Sequence, residues 1–185
     1  MGLSISVLIK YSLQREKNRV NIKHLIIRKS HIEDIPQIQY LIKCLASYEK
    51  RPQDMTGTEK QLRYWLFERK IATVLIAEYE KEVVGYALYY PIFGSFSAVG
   101  KIHLEDIFIQ PNFRGYGIGR IFLAKIAEIV LADGYIEMEW SCLDWNKSSI
   151  EFYERLGAKQ ETGRKYFKFT QSELKSIATQ MEGYK

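Results

Sequence analysis

The feature that most restricts the fold is a glycine-rich turn, Arg114-Gly115-Tyr116-Gly117-Ile118-Gly119-Arg120, between a strand-like run and an apolar helical run. Three glycines in five residues let the main chain approach a ligand closely. At the start of a helix, backbone N–H groups and the helix dipole attract an anion. The turn therefore predicts a pyrophosphate site, the alternative being a tight strand-to-helix turn without a ligand.

The sequence of the turn does not match two other phosphate-binding motifs. A Walker loop ends in Gly-Lys-Ser/Thr, whereas Arg120 and Ile121 stand at that point here. A Rossmann fingerprint has the spacing GxGxxG directly after the first strand of a parallel unit. Here the spacing is GxGxG, and the turn follows the fourth predicted strand.

The pattern of apolar residues predicts a mixed α/β sandwich around one sheet. Two helices are predicted between the first and second strands, one at Ile118–Ala132 between the fourth and fifth, one between the fifth and sixth, and one after the last strand. The second and third strands are predicted to form a hairpin, which a loop joins to the fourth. The predicted strands are 22–28, 72–77, 83–90, 102–109, 136–143 and 166–169. A chain of 185 residues supports one domain.

The net charge of +5 is concentrated at the N-terminus. The first 30 residues carry seven basic side chains and one acidic one, so the rest of the chain is nearly neutral. We expect residues 1–21 to form a poorly ordered basic extension and residues 22–185 to form the domain. No nucleic-acid partner is expected for the domain, although a nucleic-acid role for the extension stays open.

Composition also restricts location and metal binding. No window of 18 apolar residues is present, so no membrane span is expected. Cys44 and Cys142 lie in apolar patterns and indicate a reducing cytoplasm. The three histidines, His24, His31 and His103, lack metal-ligand spacing, so no metal is expected.

A second constellation follows the fifth predicted strand, in Asp144-Trp145-Asn146-Lys147-Ser148-Ser149-Ile150-Glu151-Phe152-Tyr153. Tyr153 lies four residues after Ser149 and seven after Asn146, so the three share one helical face. Alone, a Phe-Tyr pair in a short amphipathic helix is more often part of a core than of a catalytic site.

Together, the two motifs resemble the GNAT superfamily of N-acetyltransferases, whose Arg/Gln-x-x-Gly-x-Gly/Ala motif matches Arg114, Gly117 and Gly119. The runs LEDIFIQPNFRGYGIG and LDWNKSSIEFYERLGA look like the diamine (spermidine/spermine) acetyltransferase branch. The resemblance implies a mostly antiparallel central sheet, splayed between its central strands and flanked by helices. It also implies direct transfer of an acetyl group from acetyl-CoA to a primary amine in a ternary complex.

The resemblance assigns cofactor-binding residues on both motifs. The pyrophosphate would lie on the turn, and the pantetheine arm would pair with the strand before it. The residues implied are Ile107, Phe108, Ile109, Arg114, Gly115, Tyr116, Gly117, Ile118, Gly119, Arg120, Asn146, Ser149 and Tyr153.

Two residues carry the chemistry that the resemblance implies. Glu105, in an otherwise apolar strand, would be the general base, directly or through water, and Tyr153 the general acid. Strand alternation predicts that Asp106 points to the opposite face from Glu105. An ion pair at a strand edge is the structural alternative for Glu105.

The acceptor is predicted to be a diamine or polyamine held by acidic and aromatic groups. The residues implied are Tyr48, Glu49, Glu105, Glu139, Trp140 and Ser141. Lys50-Arg51-Pro52 stands where the mammalian polyamine enzymes are acidic, which leaves thialysine, another small amino acid or a protein lysine open. A non-catalytic acyl-CoA-binding domain is the other alternative, and a homodimer is expected from the family.

Overall fold

A five-stranded sheet with its strands in sequence order organises the first part of the chain. The structure is a computed structural model that describes residues 21–163 and 165–180. The strands are β1 (Leu25–Lys29), β2 (Thr73–Tyr79), β3 (Glu82–Gly94), β4 (Val99–Ile109) and β5 (Met138–Trp140). Strands β1 to β4 pair antiparallel in succession, and β5 pairs parallel with β4. The expected mixed, mostly antiparallel sheet is confirmed.

The helices fall in two units, one ending at Ser141 and one beginning at Cys142. The first unit contains α1 (Ile35–Tyr48), α2 (Glu59–Leu62) with a π-helical continuation over Arg63–Glu68, and α3 (Ile118–Ala132). The second contains α4 (Lys147–Arg155) and α5 (Gln171–Gln180). Short 3-10 turns lie at Ile22–His24, Ile32–Asp34, Pro52–Asp54 and Pro111–Phe113.

The core of the first unit lies on both faces of β2, where every residue from Val74 to Ala77 is buried. On one face, Ile38 and Leu41 of α1 pack with a cluster that includes Tyr86 and Phe108. Helix α3 packs against β4 and β2 and buries its apolar residues, among them Phe122 and Ile126. Each such side chain stabilises the fold by about 1.5–3 kcal/mol, so the sheet is a stable platform for the site.

The strands predicted at 72–77, 83–90 and 102–109 are observed with longer bounds, and the other three predictions also differ from the structure. The strand predicted at 22–28 begins at Leu25, and the one predicted at 136–143 is limited to Met138–Trp140. The strand predicted at 166–169 is wrong, because residues 165–170 contain no strand. Tyr166 is 88% exposed and Phe167 89%. Aromatic residues favour a strand only where a neighbouring strand supplies hydrogen-bond partners.

The predicted N-terminal extension lies outside the described residues, apart from residue 21. Its order and its partners stay predictions, as does the boundary of the domain. No helix within residues 21–163 and 165–180 is both long enough and apolar enough to cross a membrane.

Candidate active site

The glycine turn of the first unit has the backbone that an anion site requires. Gly115 and Gly117 both have φ of +83°, a left-handed conformation that residues with a Cβ rarely adopt. Beyond their chain neighbours, the described chain has no atom within 4 Å of where a Cβ would lie at either residue. Gly117 is the N-cap of α3 and has no side chain to cap the first helical amides. The turn therefore presents helix N–H groups beneath open space, which fits a pyrophosphate.

Arg114 connects this turn to the end of α1. Its guanidinium carbon lies 4.6 Å from the ring centroid of Tyr48 and 5.2 Å from that of Phe108. Its Nε donates a hydrogen bond of 2.8 Å to the carbonyl oxygen of Ile109. In this arrangement Arg114 holds the last residue of β4 against Tyr48, so a predicted cofactor residue and a predicted substrate residue are in contact.

The sheet opens beside the predicted cofactor strand. Strand β5 pairs only with Ile102, His103 and Leu104 of β4. On that side, Glu105–Ile109 has no strand partner among the described residues, which is the expected splay. The backbone of Ile107, Phe108 and Ile109 can therefore take an extended ligand as an additional strand, whereas the Phe108 side chain is buried in the core.

A β-bulge in β4 turns two adjacent acids toward one face. Leu88 of β3 pairs with Asp106 and the next residue pairs with Leu104, so Glu105 is an extra residue without a partner on β3. The hydroxyl of Tyr90 donates to Glu105 Oε2 at 3.0 Å, and that of Tyr86 donates to Asp106 Oδ2 at 2.9 Å. Tyr86 and Tyr90 share one face of β3. The prediction that Asp106 points away from Glu105 is therefore wrong, because the bulge interrupts the alternation.

The two acids differ in their contact with water. Half of the Glu105 side chain is exposed (53%). Burial raises the pKa of Asp106 to about 6, and the charges of Glu105 and Glu49 raise it too, while the hydrogen bond from Tyr86 lowers it. Burial is also the main reason that the pKa of Tyr90 is raised to about 12, with a further contribution from Glu105. Asp106 thus changes charge close to neutral pH.

His103 and Glu139 complete an acidic and aromatic cluster around Glu105. His103 Nε2 lies 3.7 Å from Glu105 Oε2, and its Nδ1 lies 3.8 Å from Glu139 Oε1. The imidazole stacks on the ring of Tyr90, with centroids 5.2 Å apart. Sequence reasoning did not assign Tyr86, Tyr90, His103 or Asp106 to the site, because their meeting depends on the register of three strands.

The predicted acceptor residues divide between two faces. Glu49, at the end of α1, lies near enough for its charge to raise the pKa of Asp106, so Glu49, Glu105 and Glu139 belong to one acidic cluster. Trp140 pairs with Leu104, which is buried in the other face of the sheet, and Ser141 follows β5. The structure brings the three glutamates together, whereas the pairing with Leu104 places Trp140 on the other face of the sheet, and its substrate role stays a prediction.

The second unit carries the other predicted residues on α4. Asn146 is the N-cap, its carbonyl accepts the N–H of Ser149 at 3.0 Å, and Ser148 Oγ donates to Asn146 Oδ1 at 3.3 Å. Tyr153 is half-buried, and its ring lies 5.3 Å from that of Phe152. Asn146, Ser149 and Tyr153 lie along one side of the helix. Their roles stay predictions.

The chain matches an acetyltransferase family and is similar in sequence to known acetyltransferases. Residues 37–158 match the sequence model described as the acetyltransferase (GNAT) family. The chain is 33% identical over 166 residues to a thialysine N-epsilon-acetyltransferase of Sus scrofa, covering 83% of this chain and 97% of the relative. It is 32% identical over 164 residues to a human spermidine/spermine N(1)-acetyltransferase-like protein 1, covering 82% of this chain and 23% of that protein.

The fold is similar to that of a solved aminoglycoside acetyltransferase from an uncultured soil metagenomic sample. The TM-score is 0.70 at 18% sequence identity, covering 81% of this chain and all of that one (100%). At this level of identity, the likeness concerns the fold alone.

We expect Tyr86→Phe to raise the pKa of Asp106 above its value of about 6, because the Tyr86 hydroxyl donates a hydrogen bond that favours the ionised carboxylate. Carbon-13 NMR of the Asp106 carboxyl against pH measures the change. Tyr90→Phe is the matched control, because that hydroxyl binds Glu105 instead. An unchanged Asp106 titration in Tyr86→Phe would contradict the assignment.

Proposed function

The chain belongs to the GNAT family of acetyltransferases, and on that premise we propose that its acceptor is a small primary amine with a second ammonium group. Thialysine and short diamines both belong to this class. The observation that supports the proposal is the cluster of Glu49, Glu105, Asp106 and Glu139 in the first unit, which gives a cationic acceptor several carboxylates. The relatives named as thialysine acetyltransferases support thialysine within this class.

The residues of the glycine turn fit the acetyl donor that the family uses, acetyl-CoA. Open space above Gly115 and Gly117, together with the N-terminus of α3, suits a pyrophosphate. We propose that Gly115–Arg120 bind the phosphates, and that the open edge of Ile107–Ile109 orients the extended arm. For Asn146 and Ser149, a role in cofactor binding rests on the family resemblance alone. When bound, acetyl-CoA supplies the thioester carbonyl carbon that the amine attacks.

The chemistry requires that the acceptor lose a proton before it attacks. An alkyl amine has a pKa of about 10.4, so more than about 99% of it is protonated at neutral pH. Glu105 is half exposed at the centre of the acidic cluster, so it can accept this proton directly or through a water molecule. The Tyr90 hydroxyl orients its carboxylate from the neighbouring strand. Tyr153 is proposed to give a proton to the departing thiolate.

A specific observation distinguishes long polyamines from shorter acceptors. Lys50 and Arg51 directly follow Tyr48 and Glu49 at the end of α1. Arg51 forms an ion pair with Asp54 at 2.6 Å. The charge of Lys50, the residue next to Glu49, is proposed to oppose the additional ammonium groups of a long polyamine. The site therefore favours thialysine or a short diamine over spermidine. The homodimer expected from the family and the cytoplasmic location expected from the two cysteines stay predictions.

A thiol-release assay with acetyl-CoA tests the proposed function. We expect thialysine and 1,4-diaminobutane to release coenzyme A faster than spermidine or a lysine-containing peptide at neutral pH. Comparison of kcat/KM for the four amines measures the preference. No thiol release with any of them would contradict the proposed acceptor class.

We expect Glu105→Gln to lower kcat/KM by about 10²- to 10⁴-fold near neutral pH, the usual contribution of a general base. The loss becomes smaller in alkali, because the amine then deprotonates without help. A pH profile of kcat/KM from neutral to alkaline pH measures this change. A loss that is the same at every pH would instead assign Glu105 to acceptor binding.

We expect Gly117→Ala to weaken acetyl-CoA binding by about tenfold or more, because the added methyl group enters the space above the helix amides and costs a charge-assisted hydrogen bond. Gly134→Ala is the matched control. Gly134 lies just beyond the other end of α3, has φ of +79°, and also has open space at its Cβ position within the described chain.

Both glycine variants are expected to lose about 1–2 kcal/mol of stability, the cost of a left-handed residue with a Cβ. Urea denaturation measures the stability, and calorimetric titration with acetyl-CoA measures the affinity. Equal affinities for the two variants would show that the turn does not bind the cofactor.

A further inference from the structure

His103 lies between two carboxylates that belong to different strands. Its Nε2 is 3.7 Å from Glu105 on β4, and its Nδ1 is 3.8 Å from Glu139 on β5. Only 19% of its side chain is exposed, and its ring stacks on Tyr90 of β3. The imidazole therefore lies between the two acids, with each ring nitrogen within ion-pair distance of one carboxylate but beyond hydrogen-bond distance of it.

The charge state of an imidazole in this position changes what the carboxylates can bind. A protonated ring has two N–H donors and can pair with both acids at once, whereas a neutral ring has one. Histidine is the side chain whose charge ordinarily changes between about pH 5 and 8. Protonation of His103 would thus offset negative charge at the place where a cationic acceptor needs it.

The other ionisable groups near His103 do not offset the negative charges of Glu105 and Glu139. Glu105, Glu139 and Tyr90 face its ring from the three strands. Asp106 and Glu49 belong to the same acidic cluster. The nearest basic residue along the strand, Lys101, forms an ion pair with Glu137.

We propose that His103 determines the preference of this site for acceptors with a second ammonium group, because its protonated ring competes with that group for Glu105 and Glu139. The imidazolium form can pair with both carboxylates. With the neutral form, Glu105 can face the reacting amine and Glu139 can bind the second ammonium. His103 acts through these acids and is a positioning residue. The proposal rests on the acceptor class proposed above.

The test compares a dication with a monocation of equal length. Dissociation constants for 1,4-diaminobutane and butylamine are measured by calorimetry on the full chain with saturating coenzyme A, which has no acetyl group to transfer. Both amines stay protonated between about pH 5.5 and 8. The ratio of the two constants therefore reports the contribution of the second ammonium.

We expect the preference for the dication to rise by about 3- to 10-fold from pH 5.5 to pH 8 in the wild type, as for a few partly exposed ion pairs. In His103→Gln the rise is expected to shrink, leaving only the part that Asp106 contributes, because Asp106 also gains charge in this range. His24→Gln is the matched control: His24 also pairs with a carboxylate, Glu80 at 3.1 Å, but at a distant exposed place.

Two results would overturn the proposal. One is an equal rise of the ratio in the wild type and His103→Gln, and the other is no measurable binding of either amine to the wild type at pH 8. If His103→Gln fails to fold, Glu139→Gln serves as the second variant. At pH 8 its preference for 1,4-diaminobutane over butylamine is expected to fall toward the wild-type preference at pH 5.5. An unchanged preference overturns the proposal. Because binding is measured without turnover, an enzyme that acetylates none of the amines would contradict the proposed function and still decide the role of His103.

Discussion

The single extra residue in β4 is the constraint on which the arrangement of the site depends. Because Glu105 has no partner on β3, the strand bends at that point, and two acidic residues adjacent in sequence reach hydroxyls on one face of β3. In a regular strand, one of them would point into the opposite face of the sheet, among apolar side chains. The bulge thus places negative charge beside the open edge of β4, at the end of the β4–β5 ladder.

The elements that were predicted correctly are those whose first and last residues depend on local signals such as glycine turns. Helix α3 begins directly after Gly117 and ends two residues before Gly134, whose left-handed backbone is the one favoured just after a helix C-terminus. The glycine turn, the β2–β3 hairpin and the acid in mid-strand were predicted in the same way. The strand predicted at 166–169 is wrong, because its aromatic residues suit a strand only where another strand pairs with them.

The parts of the site that escaped prediction depend on register. His103 meets Glu139 because β5 runs parallel to β4 with these two residues opposite each other, and it meets Tyr90 because β3 pairs antiparallel on the other side. No spacing within a single segment shows these neighbours. The position of the bulge decides which acid is buried, and a difference of one residue between two paired strands is invisible in either strand alone.

The contacts of Arg114 join the proposed donor site to the proposed acceptor site. Its guanidinium packs on Tyr48, next to the acidic cluster, while its backbone leads directly into Gly115 and the turn. A phosphate that attracts this guanidinium takes it away from Tyr48, and an acceptor that displaces Tyr48 alters what holds Arg114. Thermodynamic linkage requires that each ligand change the affinity of the other by the same factor. Through one side chain, the affinities of the two proposed ligands become coupled within the fold.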